Sequence, residues 1–314
     1  MANIKQIFKK YWQILKNSGS GFGNDNAVKL SGSLAYSTIF SLPPMLLLII
    51  IFAGSVYGKD ALSGRIFLEL KDLIGADTAL QVQNVIKGLE KQKGSLIATI
   101  IGSIALIIGA TGIFTEIQSS LNLIWGVRVK PKKGIVKLLL NRLISISMIL
   151  GLGFLLIVSL VVNTVILSLS REILSFFPTL PINMIGIISN IILFFVLSIL
   201  FSFIFKMLPD VRIKWRYVWP GAFVTTALFL LGKFIINIYI SSNSTISLYG
   251  AASSIIVLLV WIYFSAFILY FGAEFTKAYI EYEVKTIVPS SYSEFDDKRL
   301  WNQYLRKKDT ETPK

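Results

Sequence analysis

The sequence predicts an all-α integral membrane protein: a six-transmembrane-helix bundle with an amphipathic N-terminal helix and an amphipathic, helical extracytoplasmic first loop. Three observations carry this. Hydrophobic residues make up 54% of the 314 and charged residues 15%, on the membrane side of ordinary globular usage. The stretch from Ser247 to Thr276 is long enough as a helix to cross a bilayer and holds no charge before Glu274. Its apolar side chains run all the way round the helix, so the solvent outside it must be lipid.

The same composition removes several chemistries. With no cysteine there is no disulfide framework and no thiolate, and with no histidine the commonest general base and transition-metal ligand is missing. Any catalysis would fall to carboxylates, Lys or Tyr. No catalytic residue, metal site or cofactor is therefore expected, and no Gly-rich phosphate loop is present. The formal charge of +14 points to a membrane or nucleic-acid partner, and the placement of the basic residues decides between them.

Residues 1–29 form an amphipathic cytoplasmic segment, with Ile4, Ile7, Phe8, Trp12 and Leu15 at helical spacing against Lys5, Lys9, Lys10 and Lys16. It lacks the apolar core and cleavage site of a secretory signal, and the Gly/Asn run from Ser18 to Asn26 is expected to break it. The first span, about 30–57, carries Ser31, Ser33, Tyr36, Ser37, Thr38 and Ser41 in its first half and Pro43-Pro44 in its middle. The prolines should kink it and free carbonyls, so the polar half faces protein or water. Plain packing and a transport path account for its hydroxyls equally well.

Residues 58–93 read as two amphipathic helices forming a cap on the membrane face. A second span, about 95–115, continues as EIQSSLNLIWGV and has small residues four apart at Ala98/Gly102 and Ala105/Gly109, spacing that permits close helix contact. A short basic loop, VRVKPKKGIVK, leads to a third span, about 138–169, with Asn163 inside it. The fourth span, about 182–208, ends at a loop followed by Trp215, Tyr217 and Trp219, an interfacial aromatic belt. The fifth covers about 217–240 and the sixth about 248–276, within a transmembrane domain of 30–276. The tail, 277–314, is mixed in charge and partly helical before it frays.

Six spans place both termini on one side. Lysines and arginines crowd the N-terminal segment and the second and fourth loops, whereas the third loop has only Arg171 and the fifth none. By the positive-inside rule the termini are cytoplasmic, in a bacterial inner membrane, and the basic surplus meets anionic lipid headgroups, with no nucleic acid as partner. A homo-oligomer or an envelope protein partner is compatible with this arrangement.

The blocks LAYSTIFSLPP (Leu34 to Pro44), TGIFTEIQSSLNLIWGV (Thr111 to Val127), WRYVWPGAFVTTALFLLGKFIINIYI (Trp215 to Ile240) and YGAASSIIVLLVWIYFSAFILYFGAEF (Tyr249 to Phe275) resemble the YihY / virulence factor BrkB family, across about the whole membrane region and in the same order. The resemblance implies a six-span bacterial inner-membrane protein without a settled biochemical activity. An older family label, ribonuclease BN, would make it a tRNA-processing enzyme; a relative is linked to serum resistance and other members to envelope lipid export.

Ionisable groups inside the spans are the functional candidates, because each is costly in lipid unless paired. Lys233 lies sixteen residues past Tyr217, about 24 Å into the membrane at 1.5 Å per residue. It either snorkels outward or binds an anionic headgroup and lines a path. Asn237, one turn away on the same face, together with Asn163 and Tyr36, would complete a polar pocket in the outer half of the bundle. Glu116 and Glu274 fall near the cytoplasmic rim and read as interfacial carboxylates bonded to helix ends or nearby cations.

Three functions follow. The bundle binds or translocates an amphiphile such as an anionic lipid or envelope precursor; it is a membrane scaffold acting through its cytoplasmic tail; or it cleaves RNA, for which its cytoplasmic loops offer only Asp210 among many cations.

Overall fold

The computed structural model describes residues 4–57, 96–130, 139–147, 183–242, 253–284 and 287–296. The expected cap at 58–93, the third span beyond 147 with Asn163, and the tail beyond 296 lie outside the described residues. Seven helices are described: α1 (Ile4–Asn24), α2 (Ala27–Tyr57), α3 (Leu96–Ile124), α4 (139–147), α5 (Asn183–Met207), α6 (Trp215–Ser242) and α7 (Ser253–Val284). The long apolar runs that suggested spans are thus helical where they are described. Among the described residues, Trp215–Ile236 and Ile256–Glu283 are long and apolar enough to cross a membrane.

The chain divides into two compact units, one drawn from Met1–Ile39, Gly112–Ser145 and Leu200–Lys314, the other from Phe40–Thr111 and Ile146–Ile199. In the second unit, α2 runs helical through Pro43-Pro44 and Gly109 of α3 lies against Pro44. A Cβ at Gly109 would stand 3.0 Å from the Pro44 ring, so this glycine is where small side chains let α3 approach.

The first unit is organised on α7. α1 lies antiparallel to its C-terminal half, burying Ile14 against Phe275 and Ala278, with Val224 of α6 and Tyr279 closing the cluster. Phe22 packs its ring against Phe267 and Phe271 at 4.5 and 5.9 Å. The other side of α1 keeps Phe8, Trp12, Ile7 and Leu15 exposed, as its amphipathic pattern implied.

One expectation needs correction and another is extended. The Gly/Asn run does not break α1: the helix passes through Gly19, Gly21 and Gly23 and ends only at the Asp25-Asn26 corner, where Asn26 adopts φ 53°. The intrinsic penalty of glycine is outweighed because Ser18 and Phe22 bury against α7 on this stretch. The tail, expected to be partly helical and then fray, stays helical to Val284 and afterwards returns to the bundle. Its strand β2 (Ser293–Phe295) pairs antiparallel with β1 (Val127–Val129), inside what reads as a basic loop, in the register Val127 with Phe295, Arg128 with Glu294 and Val129 with Ser293. A bridge between Val211 and Pro289 extends this tie to the α5–α6 loop. Burial of Val127 and Phe295 and the Arg128–Glu294 ion pair (3.1 Å) favour the pairing, and three-residue strands are too short to leave a periodic signal.

Candidate functional site

α6 and α7 meet through a reciprocal pair of Gly-x-x-x-Thr segments, Gly221 to Thr225 and Gly272 to Thr276. Antiparallel packing sets each glycine against the other helix's threonine: a Cβ at Gly221 would fall 1.8 Å from Thr276 Oγ1, and one at Gly272 1.9 Å from Thr225 Oγ1. Only glycine leaves that space. Each threonine hydroxyl donates to its own helix four residues back, Thr225 to the Gly221 carbonyl and Thr276 to the Gly272 carbonyl, both at 2.7 Å. Ser31 and Thr38 of α2 bond in the same way, to Ala27 and Leu34. For these two first-span hydroxyls, the structure favours packing inside the bundle.

Against this clasp sits Glu274, only 2% exposed. Gly21 of α1 makes its room, since a Cβ there would lie 2.4 Å from Oε2. The Asp25 carboxyl adjoins it from the α1–α2 corner, and Lys277, one turn along α7, donates to Asp25 Oδ2 at 3.3 Å. Oε1 of Glu274 has no hydrogen-bond partner among the described residues. One turn inward on the same face, the Tyr270 hydroxyl is likewise buried and without a partner among the described residues; Ser120 of α3 is its neighbour. Glu116, also on α3, accepts a 2.6 Å hydrogen bond from Ser33 of α2.

Further along α7 the α1 contact becomes cationic. Lys10 donates to Glu283, and its ammonium lies 5.2 Å and 5.5 Å from the Tyr279 and Tyr282 rings. The Glu283 carboxylate, through that hydrogen bond first, holds the Lys10 ammonium above the ordinary lysine value of 10.5 against a smaller opposing effect of burial.

A family model described as Virulence factor BrkB matches residues 19–293. The chain belongs to the BrkB family. Relatives are proteins named UPF0761 membrane protein: 28% identical over 305 residues in Idiomarina loihiensis, covering 92% of this chain and 100% of that one. In Aeromonas salmonicida the identity is 30% over 272 residues, covering 84% and 88%. In Alkalilimnicola ehrlichii it is 26% over 272 residues, where the match takes in 84% of this chain but 57% of the relative's length. No solved structure matches. The names of these relatives carry no enzymatic term, and with the family match they make this chain a membrane protein of the BrkB family.

The BrkB region starts inside α1 and ends on β2, so it takes in Gly21, Glu274 and Ser293 and crosses the boundaries drawn at 29 and 277. Within it, Asp210 is committed to structure. Its Oδ2 accepts from Asn122 Nδ2 at 2.9 Å, its backbone N–H donates to Asn122 Oδ1 at 2.7 Å, and its carbonyl accepts from the Ser293 hydroxyl at 2.5 Å and the Ser290 N–H at 2.9 Å.

Of the pocket residues expected from sequence, Lys233 lies on the side of α6 that also carries buried Ala222, Thr226 and Ile236, away from exposed Leu231, Phe234 and Ile235. It is half-buried and makes no ion pair among the described residues. Tyr36 is 67% exposed, on the side of α2 opposite buried Leu34, Ala35 and Thr38. Asn237 follows Lys233 by one helical turn, but its side chain, like Asn163, lies outside what is described. Sequence reading missed Gly21, Asp25 and Tyr270 as neighbours of the Glu274 region. The Gly-x-x-x-Thr repeat was a visible signal for the clasp; the approach of α1 had none.

Proposed function

We propose that this BrkB-family chain is a six-span inner-membrane protein with cytoplasmic termini that binds or translocates an amphiphile with an anionic headgroup. One observation carries the reading: Lys233 occupies the packed side of an apolar helix, half-buried and without an ion-pair partner among the described residues. A cation held there is costly unless an anion meets it, and a lipid phosphate or carboxylate is the anion a membrane supplies. A cation that merely snorkelled would be expected on the side of Leu231, Phe234 and Ile235. The orientation rests on the asymmetry of lysine and arginine between loops. The reading is non-enzymatic, in keeping with the structural use of Asp210.

The test is native mass spectrometry of protein gently extracted from its own membrane, wild type against Lys233→Leu. Retention of one anionic lipid by the wild type and its loss in the variant supports the proposal. The same unselective lipid mixture on both proteins overturns it.

A further inference from the structure

We infer that Asp25 and Glu274 form a proton-binding site in which one exchangeable proton is shared between the two carboxyl groups. Glu274 is 2% exposed, and Oε1 has no hydrogen-bond partner among the described residues. A buried carboxylate oxygen without a donor is among the costliest arrangements in a protein interior, and a proton on the carboxyl relieves it. The neighbouring acceptor is already in place, because the Asp25 carboxyl adjoins Glu274. Two carboxyl groups in one site hold one proton between them as a hydrogen bond.

Among the described residues no three acidic side chains are placed to hold a metal ion, which favours a proton over a metal cation at Glu274. Asp25 approaches from the α1–α2 corner, and Lys277 and Glu281 lie on α7 itself. α6 meets this stretch of α7 through uncharged Gly221, Val224 and Thr225, and Glu116 of α3 is engaged by Ser33. Three carboxylates, Asp25, Glu274 and Glu281, against the one Lys277 ammonium leave an excess of negative charge around Glu274, which a proton on its carboxyl reduces. Solvent reaches the site from the corner, since the side chains of Asp25 and Lys277 are 24% and 23% exposed. Inward, the Tyr270 hydroxyl, buried and without a hydrogen-bond partner among the described residues, and its neighbour Ser120 continue the line of polar groups along α7 and α3. Gly21 completes the construction, because any side chain there would displace the Glu274 carboxyl. The inference is independent of which amphiphile the protein binds and of Lys233.

Infrared difference spectroscopy of the purified full chain in lipid nanodiscs, titrated from about pH 5 to pH 9 across the range beyond free carboxylates, reads the site directly. The wild type should show a protonated-carboxyl C=O band that shifts in D2O, disappears as pH rises and is absent in Glu274→Gln. Asp25→Asn should retain the band but move its midpoint by about tenfold or more in proton concentration. The proposal is overturned if the wild type lacks the band, if the band persists in Glu274→Gln, or if the Asp25→Asn midpoint is unchanged. It is also overturned if sodium at fixed pH abolishes the wild-type band, which would make this a metal-cation site. Wild type and Asp25→Asn decide the question even where Glu274→Gln fails to fold.

Discussion

Asp210 and Glu274 are both buried acids, 4% and 2% exposed in one compact unit, and their surroundings are opposite. Asp210 sits in a closed network in which Asn122 serves its carboxylate and its N–H, while Ser290 and Ser293 serve its carbonyl. Glu274 has a cavity-making glycine on one side, a second carboxyl beside it, and an oxygen without a donor among the described residues. Burial alone therefore does not separate a structural acid from a chemically available one. Satisfaction of its hydrogen bonds does.

The comparison breaks most severely at Asn122. Asn122→Leu strips two hydrogen bonds from Asp210 and leaves its carboxylate buried, so thermal unfolding in detergent should show a loss of about 3 kcal/mol. Gly21→Ala acts on the other acid by overlap, placing a Cβ at 2.4 Å from Glu274 Oε2; the same assay should lose about 1–3 kcal/mol. Amide replacements sharpen the contrast. Asp210→Asn should cost about 1.5 kcal/mol, whereas Glu274→Gln, which resembles the protonated acid, should change stability by less than about 0.5 kcal/mol near neutral pH. Equal costs for the two would erase the distinction. The smallest effect is expected at the half-exposed Lys10–Glu283 contact, where Lys10→Gln should cost under about 1 kcal/mol. Because Lys10 is held above the ordinary lysine value, that contribution is present at neutral pH and is lost only as pH rises beyond 10.5.

The helices were legible in the sequence because a run such as Ser253–Val284 is apolar nearly all round, and only a helix satisfies its backbone within a single segment in lipid. The sites were less so. Glu274 stood out as an acid at the end of an apolar run, but its neighbours come from α1, roughly 250 residues away in a chain where Lys277 meets Asp25 at a separation of 252. Local pattern carries no record of such a pairing. The break expected at Ser18–Asn26 illustrates the same limit: the glycines speak for a loop, and the contact with α7 that overrides them is tertiary. Strand β2 makes it once more, since Ser293, Glu294 and Phe295 become a strand only because Val127, Arg128 and Val129 are there to pair with.

The ribbon also alters what a shortened protein would mean. Removing residues 285–314 to look for a scaffolding tail would take away β2 and the Ser293 bond to Asp210 as well. Ending the chain after Asp296 keeps both, so a loss of function already seen with that shorter cut would point to the tail itself.

During synthesis the ribbon acquires a further significance. Arg128 meets Glu294 at a separation of 166 positions, so β1 is synthesised early and gains its partner strand only once α5, α6 and α7 have been made. A chain that stops before Ser293 therefore leaves β1 as an open strand edge and Asp210 without the Ser293 bond.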